Sequence, residues 1–67
     1  MDIYVNDELT HTEEEISILL LLKSMDIDSF KGLAIGLNNQ IVPKNQWESK
    51  ILKDNDKVLM IRASQGG

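Results

Sequence analysis

Apolar and polar residues alternate from position 2 to position 6, with Ile3 and Val5 on one side and Asp2, Tyr4 and Asn6 on the other. That pattern predicts a β-strand with one buried face. Asn6-Asp7 reads as a turn, and a second short strand over residues 9–11 completes a hairpin. The period then changes. Ile18, Leu21, Leu22 and Met25 stand at i, i+3, i+4 and i+7, the spacing of a helical stripe, so a helix is expected over residues 13–25. Thr12 followed by Glu15 fits a capping box. Glu13, Glu14 and Glu15 would place negative charge at the helix start, and Lys23 positive charge near its end, as the dipole favours. Glu13, Ser17 and Ser24 fall opposite the stripe. Ile16 and Leu20 fall outside it, and the spacing does not set whether they widen the core face or stay partly exposed.

After an irregular connection, "LAIGLN" alternates bulky and small residues: Leu33, Ile35 and Leu37 against Ala34 and Gly36. It reads as a strand with one bulky and one flat face. Asn38-Asn39 is turn chemistry, because asparagine tolerates positive φ. "QIV" resumes as a short strand that Pro43 ends. Proline suits a first helical position, so "PKNQWESK" can open one helical turn. Ile51 and Leu52 are the expected anchors of the next segment, Asp54-Asn55-Asp56 is a further turn, and "KVLMIRA" is the last strand.

The resulting order is β-β-α-β-β-β. One helix laid across one face of a mixed sheet supplies the two layers a small domain needs. The expected class is α+β. The order is compatible with a ubiquitin-like β-grasp of about five strands with the last strand central, residues 1–63 forming the domain and residues 64–67 a flexible C-terminal tail. Ile18, Leu22, Ile35, Val58 and Met60 should pack together.

Composition narrows the function. A chain of 67 residues is one domain at most and has little room for a deep catalytic cleft, since such a domain buries only about 60% of its unfolded surface. The absence of cysteine removes disulfides, Cys-based zinc sites and side-chain thiol nucleophiles. The single histidine, His11, builds no triad alone and is expected to be a solvated strand residue. Net charge is −4 with seven scattered basic residues, unlike the clustered cations of a nucleic-acid surface. The acidic start is no secretory signal, and the longest apolar run, residues 18–22, is too short to span a bilayer. A cytoplasmic protein is expected, without nucleic-acid or membrane partners, bound cofactor or metal, and monomeric when free. Asp54 and Asp56 read as turn residues rather than cation ligands, and Trp47 as a rim residue over the core.

Two features remain. In the last strand Val58 and Met60 point one way and Leu59 and Ile61 the other, so both faces are apolar. A single helix covers one face. Leu59 and Ile61 therefore either lie under a crossing loop or form an exposed apolar patch, where Ala34 and Gly36 would let another protein approach closely. The second feature is the ending, Ser64-Gln65-Gly66-Gly67. Glycine is the slimmest and most adaptable residue, suited to threading a channel in another enzyme. The terminal carboxylate is ionised at neutral pH and a poor electrophile, useful only once activated, for example as an acyl-adenylate.

"NNQIVPKNQW", an acidic turn, "KVLMI" and a terminal Gly-Gly together resemble the ThiS family, the sulfur carriers of thiamine biosynthesis. The resemblance covers nearly the whole chain and is strongest over residues 38–67. It implies a β-grasp domain that docks on a ThiF-like, ATP-dependent adenylating enzyme. There the Gly67 carboxylate becomes an acyl-adenylate and then a thiocarboxylate, with sulfur from a donor such as a cysteine desulfurase, and thiazole synthase takes the sulfur. The carrier itself catalyses nothing, and ATP is its partner's cofactor. Two departures stand out. Asn55 occupies the place of a usual glycine, though asparagine can also adopt the left-handed conformation, and residues 25–32 align poorly. Rival readings are the small subunit of molybdopterin synthase, with the same fold and tail, a ubiquitin-like modifier joined to lysines through Gly67, and an interaction module whose tail is incidental.

Overall fold

Asparagine-led turns set the sheet. In the computed structural model, which describes residues 1–63 other than Asp28, Asn6 and Asp7 adopt φ 50 and 67, and Asn38 and Asn39 adopt φ 49 and 71. Two successive positive-φ residues give the turn whose twist matches paired strands. The first joins β1 (Asp2–Val5) to β2 (Glu8–His11), with Val5 opposite Glu8. The second joins β3 (Leu33–Leu37) to β4 (Gln40–Val42), with Leu37 opposite Gln40. The last strand, β5 (Lys57–Arg62), lies between the hairpins. It runs parallel to β1 and antiparallel to β3, so the described residues form one mixed sheet ordered β2-β1-β5-β3-β4. This is the expected β-grasp arrangement with the final strand central. The expected boundary at residues 63/64 and the flexible tail lie outside the described residues.

The helix is shorter than the acidic run suggested. α1 spans Ile18–Ser24, with Ser17 as its N-cap. The Ser17 hydroxyl accepts the Leu20 N–H at 3.1 Å. The Ile18 N–H donates to the Lys50 carbonyl and the Leu19 N–H to the Trp47 carbonyl, both at 3.0 Å. Helix-start amides that lack intrahelical partners are thus satisfied by the segment 47–50. The Thr12–Glu15 capping box does not form: the Thr12 hydroxyl donates to the Glu13 carbonyl, and Glu15 turns at φ 60. That turn lets Ile16 enter the core and its carbonyl accept the Leu52 N–H at 2.8 Å. Glu13, Glu14 and Glu15 precede the helix instead of occupying its first turn. Ser17, expected on the solvent side, is buried as the cap.

The core gathers Ile3, Val5, Ile16, Ile18, Leu21, Leu22, Ile35, Leu37, Val42, Trp47, Leu52 and Val58, with Met60 half-buried against them. The undecided pair separates: Ile16 is buried and Leu20 is exposed. Met25 leaves the stripe because it caps the helix C-terminus, and it is exposed. Of the expected anchors only Leu52 is buried; Ile51 is exposed. Trp47 is no rim residue. The expected single helical turn forms as a 3₁₀ turn, Lys44–Gln46, with Pro43 as its N-cap and not its first residue. That turn carries Trp47 into the core at 2% exposure, where its Nε1–H donates to the Val42 carbonyl at 2.9 Å. A partnered indole N–H is what makes such burial tolerable.

Candidate functional site

The side of the sheet away from α1 carries the second apolar surface. Alternation puts Lys57, Leu59 and Ile61 of β5 on that side, and register brings their neighbours. Ala34 pairs with Ile61, Gly36 with both Leu59 and Ile41, Tyr4 with Lys57, and Leu9 with Tyr4. Leu59 and Ile61 are each 51% exposed, and Leu9 and Ile41 are exposed further still. Among the described residues no crossing loop hides them, so of the two arrangements open in the sequence the exposed patch is the one these residues form. Ala34 is exposed and Gly36 is buried beneath its neighbours. An open groove of about 430 Å³ runs across the patch, lined by Tyr4, Gly36, Ile41, Lys57 and Leu59 and bounded by the two hairpin turns.

Gly36 sits at the floor of this groove. A β-carbon built there would stand 3.7 Å from the Gln40 carbonyl oxygen and 3.8 Å from Leu59 Cβ, ordinary contact distances. Neither packing nor a positive φ requires glycine at this point of the strand. Gly36→Ala is therefore expected to keep stability within about 0.5 kcal/mol, or to raise it by that amount, since glycine inside a strand is entropically unfavourable. Urea unfolding of the two proteins measures this directly. A loss above about 1 kcal/mol would show that the fold itself needs the glycine.

Tyr4, Leu9 and Ile41 were not singled out from the sequence. Alternation within a strand gives its faces but not its register. One signal was available for Ile41: counting outward from the Asn38-Asn39 turn pairs Leu37 with Gln40 and then Gly36 with Ile41.

The lesser candidates are held by structure. The Asp54 carboxylate accepts the Asp2 N–H at 2.9 Å. The Asp56 carboxylate accepts the Lys53 N–H at 2.8 Å and the Asn38 side-chain amide at 3.0 Å. Asn55 between them is left-handed at φ 71, as a substitute for glycine must be. Among the described residues no group of three or more His, Asp or Glu side chains is placed to hold a metal. His11 is exposed on β2 with Nδ1 2.9 Å from an Asp2 carboxylate oxygen. No helix among the described residues is long and apolar enough to cross a membrane. Ser64, Gln65, Gly66 and Gly67, the expected reactive end, lie outside the described residues.

A model of the ThiS family matches residues 2–67. The sulfur carrier protein ThiS of Escherichia coli (strain K12) is 33% identical over 67 residues, covering 100% of both chains. An uncharacterised protein, ycf40, of Porphyra purpurea is 31% identical over 67 residues, covering 100% of this chain and 93% of that protein. The crystal structure of a thiamine biosynthesis protein (ThiS) from Geobacter metallireducens superposes with a TM-score of 0.87 at 20% identity, over 100% of each chain. The solution structure of a thiamine biosynthesis protein from the same organism gives a TM-score of 0.80 at 20% identity, over 100% of this chain and 88% of that one. At that identity the two structures speak to the fold alone.

Proposed function

The chain belongs to the ThiS family, and from that premise we infer that it is a sulfur carrier protein of thiamine biosynthesis. The observation that carries this reading is the family match, which spans residues 2–67. The working group is the carboxylate of Gly67. It has no electrophilic power as an anion, so an ATP-dependent adenylating enzyme of the ThiF type must activate it. A carboxylate oxygen attacks the α-phosphorus of ATP and pyrophosphate leaves. A persulfide, such as that of a cysteine desulfurase, then attacks the acyl-adenylate carbonyl and AMP leaves. Opening of the new S–S bond by a second thiol frees the thiocarboxylate. Thiazole synthase is the acceptor of that sulfur. The chain contributes no catalytic residue and binds no cofactor of its own; it works in the cytoplasm with these enzymes.

Intact mass after co-expression with the adenylating enzyme and a sulfur donor tests this. Replacement of one oxygen by one sulfur is the expected result. A lysine-linked adduct would instead make the chain a modifier, and an unchanged mass would sink the carrier reading.

The open sheet face is the docking surface for the adenylating enzyme. Leu59 and Ile61 supply desolvated apolar contact, and Ala34 and Gly36 allow close approach. Ile61→Asp buries a charge in that contact, a penalty of a few kcal/mol, so binding should weaken at least about tenfold. Because Ile61 is half exposed in the free domain, the melting temperature should barely move. Unchanged affinity by calorimetry, or unfolding of the variant, would show that this face does not dock.

A further inference from the structure

We propose that Arg62 is a positioning residue that fixes the point and direction from which the reactive chain end leaves the domain; this rests on the sulfur-carrier reading above. The support of β5 changes along its length. On the β1 side, paired residues end at Val5 opposite Val58, continued by Asn6, whose backbone N–H donates to the Val58 carbonyl at 2.9 Å and whose side-chain oxygen accepts the Met60 N–H at 2.8 Å. Beyond Met60 the strand is flanked, among the described residues, by β3 alone, through Ala34 opposite Ile61 and Leu33 opposite Arg62. A strand end held on one side should fray.

Here it is clamped. Arg62 Nη1 donates to the Lys31 carbonyl and Nη2 to the Ser29 carbonyl, both at 3.0 Å. The next residue, Ala63, donates its N–H to the Gly32 carbonyl at 2.8 Å. Gly32 stands at φ 72, a conformation glycine adopts without strain. The other jaw is anchored in the core: Phe30 packs edge-on against buried Trp47 with ring centroids 5.6 Å apart. A continuous chain of contacts therefore runs from Trp47 through Phe30 and segment 29–32 to Arg62.

Exposed hydrogen bonds of this kind contribute little stability, because water competes for both partners. What they supply is direction. The forked guanidinium can bond two carbonyls at once, which an ammonium at the end of a lysine does not reproduce. Ile61 of the docking face adjoins Arg62 in sequence, so the docked surface and the root of the chain end form one rigid piece. Four residues follow Ala63, ending at Gly67, a span of at most about 14 Å. Without the clamp the free run begins at Arg62 and holds six residues. Effective concentration falls roughly as the −3/2 power of such a length, which gives a loss of about twofold. Poorer orientation at the reacting atoms adds to it.

Arg62→Ala and Arg62→Lys, compared with the parent chain in ATP–pyrophosphate exchange with the adenylating enzyme, test the idea. Amide exchange at Ala63 and the docking affinity of Gly67-deleted versions complete the set. Both substitutions should speed Ala63 exchange and lower the maximal exchange rate at saturating carrier about two- to fivefold, with docking affinity changed less than about twofold. An unchanged maximal rate, full activity of Arg62→Lys, or a rate loss matched by lost docking affinity would each overturn the proposal. Absence of pyrophosphate exchange with the parent chain itself would overturn the carrier reading, and this inference with it.

Discussion

Leu22→Ala is expected to destabilise the domain by about 2–5 kcal/mol, the range for truncation of a buried leucine. Leu22 is fully buried on the face of α1 turned to the sheet, in the same core as Ile3, Ile18, Ile35 and Val58. The helix has seven residues, too short to be stable by propensity alone. Its persistence depends on Ile18, Leu21 and Leu22 and on the amides caught by Ser17, Trp47 and Lys50. A cavity at Leu22 weakens the packing that holds the helix in place. A domain of this size has only about 3–10 kcal/mol of stability in total, so a large fraction of molecules should unfold near body temperature. Urea titration followed by circular dichroism gives the value directly. A change below about 0.5 kcal/mol, typical of surface positions, would mean that another side of the helix faces the sheet.

Local chemistry carried well from sequence to structure wherever it was self-contained. Asn6-Asp7, Asn38-Asn39 and Asn55 all adopt the positive φ their residue types favour, and with them came the two hairpins, while the central place of β5 followed from an element order compatible with a β-grasp. The helix start was misplaced for a reason that is not local. Three glutamates after Thr12 satisfy every rule for a helix N-terminus, yet Ile16 gains more by entering the core, and the competing amide partners lie some 30 residues away, at Trp47 and Lys50. Trp47 was misjudged similarly. A tryptophan after a proline turn looks peripheral until the Val42 carbonyl is seen to take its N–H. The outward face of β5 was legible from its doubly apolar pattern. The patch around it was not, because Tyr4, Leu9 and Ile41 join only through register. The Arg62 clamp carried no sequence signal, since its partners are backbone carbonyls of an irregular segment.

Deleting Gly67 is expected to abolish thiocarboxylate formation, and the argument turns on reach more than on chemistry. The shortened chain still ends in a glycine carboxylate, Gly66, so the nucleophile's type and its freedom from a side chain are unchanged. What changes is position. With the domain docked through β5 and its root fixed at Ala63, the new carboxylate falls one residue short, about 3.3–3.6 Å. That shortfall is as long as the 3–3.5 Å separation at which attack on phosphorus becomes productive. Gly66→Val probes the same path differently. It keeps the length but adds a β-branched side chain that restricts the backbone and widens the peptide where a channel must admit it, so adenylation should fall on the order of a hundredfold. The described core is built from residues 3–58, and both variants are expected to unfold at the same urea concentration as the parent chain. Pyrophosphate exchange with the adenylating enzyme separates the outcomes. Parent-level exchange by the deletion would show that the carboxylate need not arrive at a fixed distance. Parent-level exchange by Gly66→Val alone would leave the reach argument standing and remove the requirement for a slim chain end.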